Sequence, residues 1–345
     1  MLFTKLLRDT QTRRRREIQF REITVTGHGP DVPNYVSFTI PLFFHPRIPQ
    51  TLDNTIVELR RMHFGDKHGR IRRVFALSPR ALRFLTIELF RRKIEPSSLL
   101  VRRVLNTGNY CSSGHRKVCR DFWKADVLDT YSLAEVHGSA GECERHGAKH
   151  FSPFVFAEVL DSHTKQRVEE GQQGILTLTP LYPFQASTPL IRYWTNDFVT
   201  VARTPCRCGF RGLSITKILG RADYCFDFSR EIPPTEPQRV IAVTDVIEAI
   251  ESSITLIPLK AVSGIEKLGD LPPRFNMRLL LNTRKQIVIG IYLEKFKGFD
   301  AELLSEMDER LEFAYRNLSD SLERDVTFKT SIVEPKSIST PYLKT

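Results

Sequence analysis

Residues that could bind a metal ion occur in two short stretches of the chain, each containing a glycine. Cys143 and His150 belong to the first stretch, and Cys206 and Cys208, separated by one residue, belong to the second. Four nitrogen and sulfur ligands suit a closed, tetrahedral, structural zinc site. His146 is an alternative to His150, and reduced thiols without a common ligand are the alternative for the whole group. The two stretches therefore predict zinc, with both alternatives open.

The number of cysteines bears on the redox environment of the protein. Six of the 345 residues are cysteines, and the chain shows no signal peptide. In a chain of this size, free thiols or a metal site are favoured over disulfides. We therefore expect a cytoplasmic protein.

Four further stretches combine carboxylates, an arginine and glycines, and such groups can bind nucleotides and magnesium. Their order and spacing resemble the adenylate-forming enzymes and, within them, the phenylacetate–coenzyme A ligase family. The family's motifs read Y-G-x-T-E, G-E-L-V-x-T, P-x-I-R-Y-R-T-x-D and G-R-x-D-D. The matching stretches here are Y-S-L-A-E at Tyr131 to Glu135, G-I-L-T-L-T at Gly174 to Thr179, P-L-I-R-Y-W-T-N-D at Pro189 to Asp197, and G-R-A-D at Gly220 to Asp223.

This resemblance implies roles for four of these residues. Glu135 would help to hold magnesium, Tyr131 would lie at the nucleotide site, Asp197 would accept hydrogen bonds from the ribose hydroxyls, and Arg221 would reach the nucleotide. An ordinary loop glutamate is the alternative for Glu135. The implied cofactors are ATP, Mg²⁺ and coenzyme A, and the implied substrate is a carboxylic acid, expected to be aromatic.

Three more residues receive roles from the same resemblance. Gly108 lies in a strand-to-helix turn where the family has an adenine-binding loop, although a glycine that only makes the turn is equally compatible. Lys344 aligns with the family's catalytic lysine, and a plain exposed lysine is its alternative. Asp223 corresponds to the hinge about which the family's small domain rotates.

The chain departs from the family pattern at positions that contact the nucleotide or coenzyme A. Ala134 replaces a threonine whose hydroxyl contacts phosphate, and Ser229 to Glu231 replace an R-G pair that lines the coenzyme A passage. The Ser/Thr/Gly-rich phosphate loop has only a short counterpart at Thr26 to Pro30. A second hypothesis is therefore a truncated, non-catalytic homologue that binds a nucleotide or a protein.

The elements that must position these residues follow from the hydrophobic pattern. A strand is predicted at Val74 to Leu77, and a helix then begins at Ser78 and Pro79. Strand–helix–strand order of this kind indicates an α/β layer. Further strands are predicted at 101–105, 126–128, 153–160, 175–179, 276–281, 286–293 and from 326. Further helices are predicted at 51–64, at 114–123, after Thr244 as its N-cap, and at 301–323.

The expected fold class is α/β, with a truncated N-terminal domain of an adenylate-forming enzyme and a small α+β C-terminal domain. Composition changes after Asp223, because residues Glu231 to Pro237 include three prolines. We expect a flexible basic arm over 1–22, a partial AMP-binding domain over 23–223 and a small mobile domain over 224–345.

The charge of the chain bears on its partners. The formal net charge is +11, and part of it is concentrated in runs such as Arg13 to Arg16. Attraction to phosphates and a solvated surface both account for such runs. No aromatic residues interleave with the arginines, which argues against a nucleic-acid partner. No apolar run of about 18 residues occurs, so no membrane partner is expected. The oligomeric state stays open.

Overall fold

A computed structural model describes residues 23–26, 50, 52–57, 73–106, 108–186, 188–202, 205–256, 275–295, 300–334 and 338. The predicted basic arm, most of the short counterpart of the phosphate loop, and Lys344 lie outside these residues. Among the described residues, no helix is both long enough and apolar enough to cross a membrane.

The chain forms two compact units. The first comprises Met1–Thr130 with Pro258–Leu271, and the second comprises Tyr131–Ile257 with Pro272–Thr345. The predicted domain boundary at Asp223 lies inside the second unit. Movement about Asp223 stays a prediction.

The first unit contains a parallel sheet together with helices that follow two of its strands. Ser78 caps helix α1 (Pro79–Arg91) by accepting a hydrogen bond from the Ala81 N–H at 3.3 Å, and Pro79 occupies the first turn, as predicted. Trp123 and Phe75 pack edge to face in the core, with ring centroids 5.3 Å apart. Strand order follows the sequence, with β1 (Ile23–Thr26), β2 (Arg73–Leu77), β3 (Val101–Asn106) and β4 (Asp126–Ser132), and the helices are α1 (Pro79–Arg91) and α2 (Ser113–Val118).

The second unit contains an antiparallel sheet with its own apolar core. Strand β8 (Gln173–Pro180) is buried along almost its whole length, including the polar residues Gln173 and Thr177. In spatial order the strands are β5 (Ser139–Glu142), β6 (Lys149–Phe151), β10 (Ser214–Arg221), β9 (Tyr193–Val201), β8 (Gln173–Pro180) and β7 (Val155–Leu160).

The rest of the second unit is α+β, as expected. A three-stranded sheet combines an antiparallel hairpin with a parallel third strand. Helix α4 (Ala301–Ala314) packs on that third strand and against α3 (Val243–Leu256). The elements are β11 (Phe226–Asp227), β12 (Val240–Ile241), α3 (Val243–Leu256), β13 (Phe275–Asn282), β14 (Gln286–Glu294), α4 (Ala301–Ala314), α5 (Arg316–Leu322) and β15 (Asp325–Val333).

A buried ion pair fastens β12 to the antiparallel sheet. Arg239 is completely buried and donates to Asp161 Oδ2 at 2.7 Å and to the Gln173 carbonyl at 2.8 Å. The Gln173 side chain in turn accepts from the backbone N–H groups of Arg239 and Val240. The segment that follows Asp223 is therefore held to β7 and β8.

Two predictions about helices were wrong. Thr244 does not cap α3, because it lies inside the helix and its hydroxyl donates to the Ile218 and Leu219 carbonyls of β10. The helix predicted over 301–323 is two helices divided at Tyr315, which is buried. The Tyr315 hydroxyl accepts from the Ala242 N–H and donates to Asp245, and these two bonds fix the side chain where the helices meet.

Candidate active site and metal centre

Asp197, the predicted ribose ligand, lies in β9 with only 9% of its surface exposed. Tyr131, at the end of β4, donates its hydroxyl hydrogen to Asp197 Oδ2 at 2.6 Å. Thr195 accepts the backbone N–H of Asp197 at 3.1 Å and donates to the Leu176 carbonyl of β8 at 2.8 Å. Two of the predicted nucleotide residues, Tyr131 and Asp197, thus contact each other directly.

The groups around Asp197 shift its pKa in opposite directions. Burial raises the pKa of Asp197 above its ordinary value, and the charge of Glu135 adds to this effect. The hydrogen bond from Tyr131 and the positive charge of Arg221 lower the pKa of Asp197. The pKa of Tyr131 is raised, first by burial and then by the charge of Asp197. Among the described residues, Tyr131 is the one side-chain donor to this carboxylate, which leaves it able to accept hydrogen bonds from a ligand.

Glu135 follows β4 on a loop and is exposed. Its carboxylate lies close to Tyr193, whose pKa is raised first by desolvation and then by the charge of Glu135, and is lowered by Arg221. An exposed carboxylate fits magnesium, which usually takes one or two protein carboxylates and completes its shell with water and phosphate oxygens. Tyr193 was not singled out from the sequence. Its position inside P-L-I-R-Y-W-T-N-D was the available signal.

Arg221 ends β10 and lies opposite Asp197 in the β9–β10 register. Its guanidinium is 3.6 Å from Asp223 Oδ2, and Asn196 donates to the same oxygen at 2.9 Å. Asn196 has a φ of +65°, a left-handed conformation that asparagine adopts more readily than most residues. The predicted hinge residue is thus connected to both β9 and β10.

Gly108 lies in the first unit, in the turn that follows β3. Its φ is +77°, so the turn requires a residue that tolerates the left-handed region. Asn106 closes the turn by donating to the Asn109 carbonyl at 2.9 Å, and it also donates to Asp129 at 2.6 Å. These contacts account for the turn, and an adenine contact by Gly108 stays a prediction.

The four predicted zinc ligands come together in the second unit. The candidate ligand atoms of Cys143, His150, Cys206 and Cys208 all lie within 4.8 Å of one another. His150 Nε2 lies 3.3 Å from Cys208 Sγ. His146, the alternative ligand, is exposed and is not a member of this group.

Two turns and one strand pair place these ligands. The Cys143 carbonyl accepts from the Gly147 N–H at 2.9 Å, and the Cys206 carbonyl accepts from the Gly209 N–H at 2.7 Å. Both glycines have positive φ, +71° and +90°. Antiparallel pairing of β6 with β10 then sets His150 opposite Ser214 and so brings the two turns together.

The orientation of His150 is fixed by groups outside the four ligands. Its Nδ1 lies 2.7 Å from the Ser214 hydroxyl oxygen, and its ring stacks on Phe210 at 4.4 Å. A hydrogen bond at Nδ1 leaves Nε2 directed at the cysteines, as is usual for histidines that bind metal. A backbone hydrogen bond from Phe210 lowers the pKa of Cys208, which favours the thiolate that binds metal. Neither Ser214 nor Phe210 carried a recognisable signal in the sequence.

The separations among these atoms are compatible with zinc. With Zn–S bonds of about 2.3 Å, sulfur atoms in a tetrahedral site stand roughly 3.8 Å apart. A group of three thiols and one imidazole within 4.8 Å needs only small side-chain adjustments to reach that geometry. The donor set therefore fits a structural zinc ion.

Comparison with known proteins yields two kinds of relative. No family model matches the chain. A phenylacetate–coenzyme A ligase of Thermus thermophilus is 28% identical over 154 residues, which are 44% of this chain and 34% of that protein. A phenylacetate–coenzyme A ligase of Aromatoleum evansii is 32% identical over 102 residues, which are 28% of this chain and 22% of that protein. The matches thus span about a third or less of these curated relatives.

Solved structures match over nearly the whole chain at low identity. An open conformation of 2-hydroxyisobutyryl-CoA ligase, in complex with 2-HIB-AMP and CoA, has a TM-score of 0.56 at 16% identity, with 95% of this chain and 66% of that chain covered. The anthranilate CoA ligase AuaEII, in complex with anthranoyl-AMP, has a TM-score of 0.55 at 12% identity, with 92% and 57% covered. The α/β fold prediction is confirmed. The chain has the fold of the adenylate-forming enzymes over the part it spans, and in sequence it resembles the phenylacetate–coenzyme A ligases among them.

Proposed function

We propose that this chain activates a carboxylic acid, with aromatic acids as the expected class, by forming an acyl-adenylate from ATP and passing the acyl group to coenzyme A. The observation that carries the proposal is the grouping of Tyr131, Glu135, Asp197 and Arg221 in the second unit. The matched relatives are named as ligases of this kind, and a cytoplasmic location is part of the same proposal.

The first step would join the acid to AMP. A carboxylate oxygen attacks the α-phosphorus, the bond to the β-phosphate oxygen breaks, and pyrophosphate leaves. Proteins promote such reactions mainly by positioning the reactants and by stabilising charge. Asp197 would accept the ribose hydroxyls, Tyr131 would orient the Asp197 carboxylate, and Arg221 would lie near the phosphates. Magnesium, when held by Glu135, would neutralise phosphate charge.

The second step would transfer the acyl group. The thiol of coenzyme A loses its proton, its sulfur attacks the carbonyl carbon of the adenylate, and AMP leaves. Ser229 to Glu231 stand where relatives have the R-G pair of the coenzyme A passage. Because of this departure, fewer matching residues support the thioester step than support adenylation. The thioester step can be tested separately from adenylation.

We also propose that Cys143, His150, Cys206 and Cys208 bind a structural zinc ion. The ligand atoms lie within 4.8 Å, and Ser214 and Phe210 orient the imidazole. The ion would connect the loop after Glu135 to the loop after Asp197. It would thereby support the candidate active site without contacting a substrate.

Pyrophosphate release across a panel of aryl and fatty acids, with ATP and magnesium, tests the first step. We expect acid-dependent release by folded, full-length protein, with the Glu135→Ala variant as the background. A second assay adds coenzyme A and measures thioester formation. If no acid gives more release than Glu135→Ala, the non-catalytic homologue becomes the better description. Binding of ATP without turnover would then identify a nucleotide-binding module.

A further inference from the structure

One amide side chain connects the loop that carries Glu135 to the loop between β8 and β9. Gln185 Oε1 accepts the His137 N–H at 2.7 Å, and Gln185 Nε2 donates to the Glu135 carbonyl at 3.1 Å. The same Nε2 donates to the Thr188 carbonyl at 2.8 Å, within the residue's own loop. Both amide hydrogens and one acceptor position of Gln185 are thus engaged with backbone groups.

These contacts fix the backbone on both sides of Val136. The Glu135 carbonyl and the His137 N–H are held by one rigid amide group, and the Val136 side chain between them is buried at 3% exposure in the apolar core. Aromatic contacts reinforce the connection, because Phe154 lies 6.0 Å from the His137 ring and 4.3 Å from the Phe184 ring. The residue that bears the carboxylate is therefore anchored from two directions.

The anchoring matters because the Glu135 side chain is exposed. An exposed glutamate samples several rotamers, so its backbone and the contact with Tyr193 determine where its carboxylate lies. A residue that binds a cation through one carboxylate must be held in place, because loss of the groups that orient a metal ligand commonly lowers metal affinity. Gln185 supplies the backbone half of this constraint.

We propose that Gln185 is a positioning residue that sets the Glu135 carboxylate for the divalent cation of the bound nucleotide; the inference rests on the proposed function. Gln185 acts through the backbone of residues 135–137 and contacts neither the acid nor the nucleotide. Replacing it should weaken binding of the metal–nucleotide complex, whereas binding of metal-free nucleotide should not change.

The experiment compares Gln185→Leu with a matched control, Gln172→Leu. Gln172 belongs to the same unit and also accepts a backbone N–H, from Glu169 at 2.8 Å, within its own turn. Binding of Mn²⁺·ATP is measured by water-proton relaxation, and binding of ATP in EDTA is measured by calorimetry. Hydrogen exchange of the peptide that contains His137 reports whether the connection has been broken. Gln185→Ala is the second variant if leucine disturbs folding.

We expect Gln185→Leu to weaken Mn²⁺·ATP binding by about tenfold or more, to leave ATP binding in EDTA unchanged and to speed exchange at His137. Gln172→Leu should change none of the three. Equal Mn²⁺·ATP affinity in wild type and Gln185→Leu, with faster exchange, would overturn the positioning role and leave the proposed function intact. Equal losses with and without metal would also overturn it, because they indicate general loosening. If wild type binds no Mn²⁺·ATP, the proposed function fails and the inference fails with it.

Discussion

At the scale of single residues, the candidate site contains two carboxylates in different surroundings. Asp197 is buried and hydrogen-bonded to Tyr131, whereas Glu135 is exposed and contacts Tyr193. A buried, pre-oriented carboxylate suits a neutral group such as a ribose, which it can bind equally well in the ground state and in the transition state. An exposed carboxylate suits a hydrated cation, and the charge of that cation stabilises most strongly the negative charge that develops on phosphate during the reaction.

This difference predicts two kinetic signatures. Glu135→Ala should mainly depress kcat, because it removes a group that supports charge neutralisation during reaction. Asp197→Ala should mainly raise KM for ATP, because a ribose contact contributes similarly in the ground and transition states. Steady-state pyrophosphate release at varied ATP measures both. The reverse pattern, with kcat lost in Asp197→Ala and KM raised in Glu135→Ala, would contradict the assignment.

The bond between Tyr131 and Asp197 gives a prediction about pH. Burial already places the pKa of Asp197 above its unfolded value, so the folded protein loses stability as pH rises through the interval between the two values. Tyr131→Phe removes a hydrogen bond that lowers this pKa. The pKa should therefore rise further, and the variant should lose more stability than wild type between acidic and neutral pH. Urea unfolding at several pH values measures this, and parallel pH profiles would contradict it.

At the scale of elements, the metal ligands lie on two turns that the β6–β10 pair brings together. Neither turn has many apolar contacts of its own, since residues 144–147 and 207–209 are exposed. A shared ion is therefore expected to supply much of their order.

We predict one zinc ion per chain. Elemental analysis of purified protein should give a ratio near one, and Cys206→Ser should lower both the zinc content and the melting temperature without altering turnover selectively. Cys111→Ser is a suitable control, because Cys111 lies outside the group of four. A zinc content below about 0.2 per chain, unchanged after refolding with zinc, would be the contrary result.

How much of the site could be predicted from the sequence depends on how far apart the interacting residues lie along the chain. The ligand pairs and the carboxylates were found because their chemistry is local to short motifs. Gln185 and Tyr193 were missed because their partners are distant in sequence, and Gln185 and His137 are 48 positions apart. The break at Tyr315 was missed for the same reason. Helical periodicity continues through it, and only the contacts with Ala242 and Asp245 reveal it.

At the scale of the whole molecule, the region after Asp223 is expected to move. The structure shows which hydrogen bonds would oppose such a movement. Arg239, Asp161 and Gln173 form a buried set that fastens β12 to β7 and β8. Asn196 holds Asp223 itself. A rotation about Asp223 would have to break these bonds or bend the chain elsewhere.

Limited proteolysis tests the hinge. We expect the first tryptic cut after the exposed Arg230, within residues 224–238, before cuts in α3 or in the β13–β15 sheet. Asp161→Ala should speed this cut, because it leaves Arg239 buried without its carboxylate, a change that typically costs about 3–5 kcal/mol. Asp320→Ala, at an exposed position of the same unit outside residues 224–238, serves as the control. First cuts scattered through 240–330 in wild type would count against the hinge.

The two metal-binding turns are far apart along the chain, and this separation has a consequence for the unfolded state. An ion that holds Cys143 and Cys206 together ties the ends of a long loop and so reduces the number of conformations open to the unfolded chain, as a cross-link does. For a disulfide closing a loop of this length, the loop-closure relation gives about 4 kcal/mol. Any zinc contact that persisted after denaturation would therefore leave a more compact unfolded ensemble. A chelator would then steepen the dependence of unfolding on denaturant concentration as well as shift its midpoint.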